Sequence, residues 1–406
     1  MNTLSKGVLV ALGLVTLASC GGGDVASGGA GGTGISQGPI TGFGSVYVNG
    51  VKIEDTPTTR IEIEDNATGT SRANLKVGMV VKVEWEKDAS GKLTAKNIIY
   101  GDDVQGPAGV VSVDGLTGDA TFTVLGQTVM THAASTVFDG VADAAALAAM
   151  PVTTIVEVSG LRDGAGVIHA TRIEVKTGET ELELKGIASV ASVGGLFTLG
   201  SGTAAVVVNY SGTPAVAVGA CVEVKSVTGI SGGQLMASEV QLDDDCTAGG
   251  GEGYELELKG FPSAITATTF VVNGQSVNYS GATFPPGTSA VNLGSSVVIE
   301  VEGSLVNGVL IAKKISFEIE GANEAKGTVN GPVAADGTFS ITLSEAEPAL
   351  PLVPTSFTVD NLTVYEDKTG AANFGRASIA SGQFLKVYYR VDGAGIKIAT
   401  RIKRES

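Results

Sequence analysis

One strand motif occurs five times along the chain and constrains its fold more than any other feature. It reads G-x-x-x-A-x-x-[I/V], and successive copies are 75, 67, 75 and 87 residues apart. A motif that recurs at this period predicts a row of similar structural modules. The copies are Gly91/Ala95/Ile98, Gly166/Ala170/Ile173, Gly233/Ala237/Val240, Gly308/Ala312/Ile315 and Gly395/Ala399/Ile402.

The residues around each copy indicate β-hairpins. Before the fourth copy, Ile299 and Val301 alternate with Glu300 and Glu302, which is typical of a strand with one buried face. A second turn recurs earlier in the modules. It is clearest at Asn49-Gly50, because Asn-Gly favours a two-residue hairpin turn. Related turns follow Phe122 and Phe270.

The strand count predicts the architecture of a module. Each has an opening strand, two strands around the first turn and two in the final hairpin, which is the number in an OB-like barrel. We therefore predict an all-β chain of five small OB-like β-barrel modules. The main alternative is a β-sandwich in which modules share strands, because the joins between modules are short. The predicted modules cover residues 38–104, 105–177, 178–251, 252–323 and 324–406.

Two further expectations concern single segments of this architecture. Val141–Met150 is Ala-rich and is followed by Pro151, so it predicts a helix within the second module. Modules joined by short links are expected to unfold separately. On this basis Ala312→Leu should open the fourth module alone.

The N-terminus carries a secretory signal. Lys6 precedes an apolar stretch, Gly7–Thr16, that is too short to cross a bilayer. The sequence Leu17-Ala18-Ser19-Cys20 then resembles a bacterial lipobox. The resemblance implies that residues 1–19 are removed and that Cys20 receives a lipid anchor. An ordinary secretory signal with an incidental cysteine is the alternative.

A linker is predicted after Cys20. Residues 21–37 are almost all Gly, Ala, Ser and Thr and cannot bury a core, so 20–37 is expected to be a lipidated, flexible tether. Gly21 takes the place of the aspartate that often retains lipoproteins in the inner membrane. We therefore expect an outer-membrane lipoprotein, facing the periplasm or the cell surface.

The charge of the chain excludes one class of partner. With 42 acidic and 26 basic side chains, its formal net charge is −16. A chain with this net charge is not attracted electrostatically to nucleic acid or to anionic membrane surfaces. The lipid anchor is therefore the expected contact with the membrane.

The repeated unit resembles a numbered family of domains of unknown function that occurs in tandem in proteobacterial lipoproteins. The matching features are an opening G-x-[I/V], the F-x-V-x-G-x-x-V turn and an L-G-x-x-V-x-V hairpin that ends in G-x-x-x-A-x-x-I. These matching features extend over essentially the whole chain after Gly38. The resemblance implies a shared fold and transfers no catalytic residue.

The sequence favours a protein without enzymatic activity, cofactor or metal site. His132 and His169 are the two histidines, and His169 is expected to be a lone side chain that points to solvent. Asp102-Asp103 and Asp243-Asp244-Asp245 lack the spacing of a calcium loop, so they are expected to be solvated turns. Motifs for phosphate, zinc or nucleophilic catalysis are absent from the sequence.

Two cysteines remain besides Cys20. Cys221 and Cys246 lie at the open end of one predicted hairpin, and an oxidising compartment favours a disulfide between them. Two unrelated thiols are the alternative. The chain as a whole predicts a structural or binding protein of the cell envelope, with an unidentified envelope protein or glycan as partner. The alternative is a lipoprotein that binds a glycan or small ligand in grooves between modules.

Overall fold

The computed structural model describes residues 32–63, 71–115, 117–243, 245–285, 288–295, 297–318, 323–347, 354–367, 374–391 and 395–405. The predicted signal peptide, Cys20 and the first part of the predicted linker lie outside these residues. Within them, no helix has the length and apolar character needed to cross a membrane.

The described chain consists almost entirely of short strands. Module 1 contains β1 (Gly32–Gly42), β2 (Val46–Val48), β3 (Val51–Ile53), β4 (Arg60–Ile63), β5 (Val80–Lys87) and β6 (Leu93–Tyr100). Module 2 contains β7 (Val104–Pro107), β8 (Ser112–Val113), β9 (Ala120–Val124), β10 (Gln127–Thr131), β11 (Val137–Asp139), α1 (Ala144–Ala148), β12 (Ile155–Arg162) and β13 (Ile168–Lys176). Module 3 contains β14 (Leu182–Val193), β15 (Leu196–Leu199), β16 (Val206–Asn209), β17 (Cys221–Ser226), β18 (Ile230–Ser231), β19 (Gln234–Met236) and β20 (Glu239–Asp243). Module 4 contains β21 (Glu255–Gly260), β22 (Thr269–Val272), β23 (Gln275–Asn278), β24 (Val298–Val306) and β25 (Val309–Glu318). Module 5 contains β26 (Asn323–Val329), β27 (Thr338–Glu347), β28 (Pro354–Asp367), β29 (Phe384–Val391) and β30 (Lys397–Arg404).

Module 5 shows the repeated unit in its simplest form. Its strands close into a barrel in the order β26-β27-β28-β30-β29. The pairing of β28 with β30 is parallel, and the neighbouring pairs are antiparallel. The prediction of an all-β protein built from small modules, with a closed five-stranded barrel, is confirmed.

Modules 1 to 4 join their sheets across non-local contacts. The first strands of modules 1 and 4, β1 and β21, pair in parallel and create an 11-stranded sheet. The first strands of modules 2 and 3, β7 and β14, pair antiparallel within a 14-stranded sheet. The expectation that the modules share few contacts is therefore wrong for these four. Pairing satisfies strand edges that separate open modules would expose.

The apolar cores follow the same grouping. Modules 2 and 3 share one continuous cluster of buried side chains. Ile35 on β1 of module 1 is fully buried within the core of module 4. Module 5 has a cluster of its own. A small cluster of Leu161, Phe261 and Val298 joins module 2 to module 4.

The predicted linker ends earlier than its composition indicates. Gly32–Gln37 belongs to β1, and its residues pair with both β5 and β21. Gly34 explains how a segment with so few large apolar side chains joins a sheet. A Cβ on Gly34 would overlap the Trp85 ring and the backbone oxygen of Glu255, so only glycine allows this close approach.

Within the described residues, a short helical turn precedes the final hairpin in modules 1, 2, 4 and 5. In module 2 this turn is α1, which begins after Asp143, whose side chain accepts a hydrogen bond from the Ala146 amide at 2.8 Å. The predicted helix is thus present but shorter than Val141–Met150. Modules 1, 4 and 5 have a turn of 3-10 helix at the corresponding place, at Arg72–Asn74, Ala290–Asn292 and Arg376–Ser378. In module 3 the 3-10 turn, Gly202–Ala204, lies instead between β15 and β16.

Candidate functional site

A polar cavity lies where modules 1 to 4 meet. Its volume is about 280 Å³, and each of the four modules contributes to its wall. The charged side chains of the wall have both signs and almost balance. The cations are Lys82, Arg162 and Lys185, and the carboxylates are Asp102, Asp103, Asp163 and Asp245.

Lys185 on β14 forms the most enclosed ion cluster of the wall. Its Nζ lies 2.9 Å from Asp243 Oδ2 and 2.8 Å from Asp245 Oδ2. Burial alone would lower the pKa of Lys185, but the two carboxylates outweigh it and hold that pKa above its usual value. Burial, together with the charge of Asp243, raises the pKa of Asp245 to about 7. In this cluster, one positive charge is therefore shared by two carboxyl groups that differ in pKa.

Arg162, at the end of β12, organises the part of the wall beside Lys185, whose backbone oxygen accepts a hydrogen bond of 3.3 Å from Arg162 Nη2. Its Nε lies 3.4 Å from Asp103 Oδ1, and its Nη1 donates a hydrogen bond of 2.7 Å to Gln127 Oε1. Asp103 Oδ2 also accepts a hydrogen bond from the Gly160 amide at 2.9 Å. Burial nevertheless raises the pKa of Asp103 above its ordinary value. The ion pair and these hydrogen bonds fix the guanidinium at the cavity.

The prediction that both aspartate runs are solvated turns is wrong. Asp102 is 4% exposed, and Asp243 and Asp245 contact a buried lysine. Asp244 lies outside the described residues. Asp102-Asp103 follows β6 and Asp243 ends β20, so each run lies at the end of a module, at the join to the next one. Because modules 1 to 4 meet at those joins, their polar residues become the interior of the assembly.

The structure joins Cys221 to Cys246 in a disulfide, with a Cα–Cα distance of 5.6 Å. Cys246 also contributes to the cavity wall. Asp245 lies close enough to both sulfurs to complete a metal-binding set. Metal ligation requires thiolates, so the disulfide excludes these sulfurs as ligands.

The two histidines form a pair, which corrects the expectation of a lone, solvent-facing His169. His132 Nε2 and His169 Nδ1 are 2.9 Å apart, and their side chains are 19% and 17% exposed. His169 also contacts the Phe261 ring of module 4, with centroids 4.5 Å apart. The parallel pairing of β10 with β13 brings His132 and His169 together across 37 residues of sequence.

A buried carboxyl group lies at the junction of modules 1 and 4. Glu257 on β21 is 8% exposed and accepts a hydrogen bond of 2.9 Å from the Ser36 hydroxyl on β1. Ser36 in turn accepts one of 3.0 Å from Trp85 Nε1. Burial and the charges of Glu300 and Glu302 raise the pKa of Glu257 to about 7.

Taken together, fold and cavity define a class of protein: a tandem-repeat, all-β protein in which four modules enclose a polar cavity. A sequence comparison matches residues 35–99, 108–174, 259–316 and 326–403 to the domain of unknown function DUF5666. Because these segments cover more than half of the chain, the chain belongs to that family. Residues 178–251 are not among the matched segments, although β14 to β20 repeat the strand pairing of the other modules.

Other comparisons add little. No curated protein matches the chain. A copper(II)-bound variant of CusF from Escherichia coli is 17% identical, with a TM-score of 0.17, and the match covers 20% of this chain and 90% of that one. Silver(I)-bound CusF is 18% identical, with a TM-score of 0.16 and coverage of 20% and 95%. These scores are too low to support a conclusion about ligands.

Sequence reasoning missed the residues that organise the cavity. Lys185 looks like a surface lysine in an alternating strand, and Arg162 like a hairpin residue. One signal was present in the sequence: Lys185-Gly186 and Lys259-Gly260 recur at the same place in two identical Glu-Leu-Glu-Leu-Lys-Gly segments. That recurrence indicates a shared position, but not that the position is buried between modules.

Proposed function

We propose that this chain is a non-enzymatic lipoprotein of the cell envelope, in which modules 1 to 4 together bind a small polar ligand. The cavity between these modules carries the proposal. Burying charges costs free energy, and an assembly needed only as a spacer is as stable with apolar residues there. Charged groups from three modules, with polar side chains of the fourth, around one open volume are typical of a binding site.

The size and chemistry of the cavity narrow the ligand class. A volume of about 280 Å³ lies near the small end of ligand sites, which span roughly 300–1,000 Å³. The near balance of cations and carboxylates favours a ligand with both charges over a strongly charged one. None of the described residues that line the cavity is aromatic, which removes the stacking surface that sugars use. We therefore propose a compact zwitterion of amino-acid size rather than a glycan.

The wall also supports a binding role over catalysis. Arg162 and Lys185 are each paired with carboxylates, and Cys246 is in a disulfide. These groups are therefore fixed in position, which suits recognition of a ligand. Catalysis by a side-chain nucleophile requires an activated group beside a base. The described wall residues do not place such a pair together.

The test is thermal stabilisation of the full chain, carrying Cys20→Ala for solubility, by a panel of zwitterions, polyols and sugars. A ligand at a hundred times its Kd stabilises the folded state by about 2.7 kcal/mol. Lys82→Met removes a cation from the wall and should abolish the shift. Lys96→Met, on the neighbouring strand and 55% exposed in its side chain, should retain it.

Two results would overturn the binding proposal. One is a panel in which no compound shifts the unfolding temperature, which would leave modules 1 to 4 as a scaffold. The other is a shift that survives Lys82→Met unchanged, because the ligand would then bind elsewhere.

A further inference from the structure

The geometry of the histidine pair points to a second site. We propose that His132 and His169 bind a transition-metal ion of the kind that imidazole prefers, such as Zn²⁺ or Cu²⁺, between His132 Nε2 and His169 Nδ1. The site shares Asp163 with the wall of the cavity, but the proposal does not require a ligand in the cavity. It rests on how the two rings face each other and on what lies behind them.

The facing nitrogens point at each other. The planes of the two rings are 10° apart and their centroids 5.2 Å apart. That separation is close to the 2.9 Å between the nitrogens plus the radii of the two rings. The rings therefore lie edge to edge in nearly one plane, with the inner nitrogens in line.

A carboxylate lies behind each ring. Asp163 Oδ2 is 3.3 Å from His169 Nε2, and Asp119 Oδ2 is 3.7 Å from His132 Nδ1. Once a metal ion holds the inner nitrogens, carboxylates in these positions favour the N–H protons on the outer nitrogens. A carboxylate on the outer nitrogen of a metal-binding histidine is the usual supporting contact in metal sites.

The two rings hold one proton between them, which a metal ion can replace. A neutral imidazole has one N–H, so one inner nitrogen donates it and the other accepts it across the 2.9 Å separation. If that proton moves to the outer nitrogen of its own ring, both inner nitrogens present lone pairs to a metal ion placed between them. The two carboxylates behind the rings then offset the charge of the metal ion.

The surroundings allow a metal ion to enter. Metal–nitrogen bonds of about 2.0 Å require the inner nitrogens to separate by up to about 1 Å. Both rings are partly exposed, while Phe261 supports His169 from one side. Solvent can therefore supply the remaining ligands. No third side chain among the described residues completes the set, so we expect an open, exchangeable site.

The experiment uses the full chain with Cys20→Ala and a purification tag without histidine. Because the chain has two histidines, every imidazole signal in a ¹⁵N spectrum comes from this pair. Titration with Zn²⁺ in excess Ca²⁺ should bind one ion per chain. It should shift His132 Nε2 and His169 Nδ1, and both outer nitrogens should carry protons in the metal complex.

Conservative variants separate metal binding from folding. His132→Gln and His169→Asn place an amide near each inner nitrogen, and each should abolish Zn²⁺ binding while circular dichroism stays unchanged. Asp163→Asn should weaken binding about 10- to 100-fold. Its Oδ1 can still accept the hydrogen bonds of 2.9 Å from the Ala165 and Val167 amides that hold the turn. Asp336→Asn, in module 5, is the matched control and should leave affinity unchanged.

Three outcomes would overturn the proposal. The first is an unchanged ¹⁵N pattern on addition of Zn²⁺ and Cu²⁺, which would leave only the hydrogen bond between the two rings. The second is Zn²⁺ binding that persists in the His132→Gln, His169→Asn double variant. The third is a shift at the outer nitrogens in place of the inner ones.

Discussion

At the residue scale, two glycines on the same strand make a matched test of how modules 1 and 4 join. A Cβ on Gly34 meets Trp85 and the Glu255 backbone, whereas one on Gly32 meets nothing within 4 Å. Gly34→Ala should therefore destabilise the protein by about 1–3 kcal/mol, and Gly32→Ala should be neutral. Urea unfolding of both variants is the measurement. Equal stabilities would show that β1 does not pair with β21.

Glu257 predicts a pH dependence with a defined sign. Its pKa is about 7 in the folded protein and 4.5 as an ordinary value, so the folded state holds a proton that the unfolded chain releases. Stability therefore falls as pH rises from 4.5 to 7. Glu257→Gln should match the wild type below this window and exceed it by up to about 3 kcal/mol above it.

Chemical denaturation across that pH range measures the effect. Glu86→Gln, which changes a carboxylate that is 55% exposed, is the control and should leave the pH profile unchanged. If Glu257→Gln gave the same difference from wild type at every pH, the carboxyl group would not titrate between these values.

These residues also show which features the sequence could predict. The alternation of Glu with Leu in Glu255–Gly260 is typical of a strand, and a strand is present there, because strand periodicity is local. Such alternation is also typical of one solvated face, but Glu183 and Glu257 are 7% and 8% exposed, because another module covers them. The histidine pair was missed for the same reason. Contacts between strands distant in sequence carry little signal in either strand alone.

At the element scale, the shared sheets change what a core substitution does. Ala312 on β25 is 3% exposed, and replacing it with Leu overpacks module 4 at a cost of about 1–3 kcal/mol. Because Ile35 of module 1 is buried in that core, Ala312→Leu should open modules 1 and 4 together. Limited proteolysis with fragment mapping would show new cleavage in both.

Ala399→Leu is the matched control at the equivalent position of module 5. Ala399 is fully buried, and the described strands of that barrel pair only with one another. New cleavage should then be confined to module 5. If Ala312→Leu exposed module 4 alone, the pairing of β1 with β21 would contribute little stability.

The disulfide is a second prediction at this scale. It links Cys221, on β17, to Cys246, 25 residues later. Mass spectrometry of non-reduced protein from the periplasmic side should find this linkage. The Cys221→Ala, Cys246→Ala double variant should lose roughly 3.5 kcal/mol, the value for a loop of this length. Free thiols at both positions would contradict the pairing.

At the scale of the whole molecule, the sequence at Leu17-Ala18-Ser19-Cys20 predicts where the protein resides. Cys20→Ala should prevent acylation and move the protein from the detergent phase to the aqueous phase on phase separation. Its thermal stability should be unchanged, because residue 20 precedes the first described strand. Retention of the variant in membranes at the wild-type level would contradict the lipid anchor.

The place of β1 between two modules has a mechanical consequence. The strand forms eight residue pairs with β5 and four with β21, one module on each side. A pull on the chain ahead of Gly32 acts along β1, so the hydrogen bonds on both sides are loaded together in shear and do not open one after another. A force applied at the N-terminal end is therefore shared between modules 1 and 4 from the start. Because both sets of hydrogen bonds must break together, β1 resists mechanical unfolding from this end.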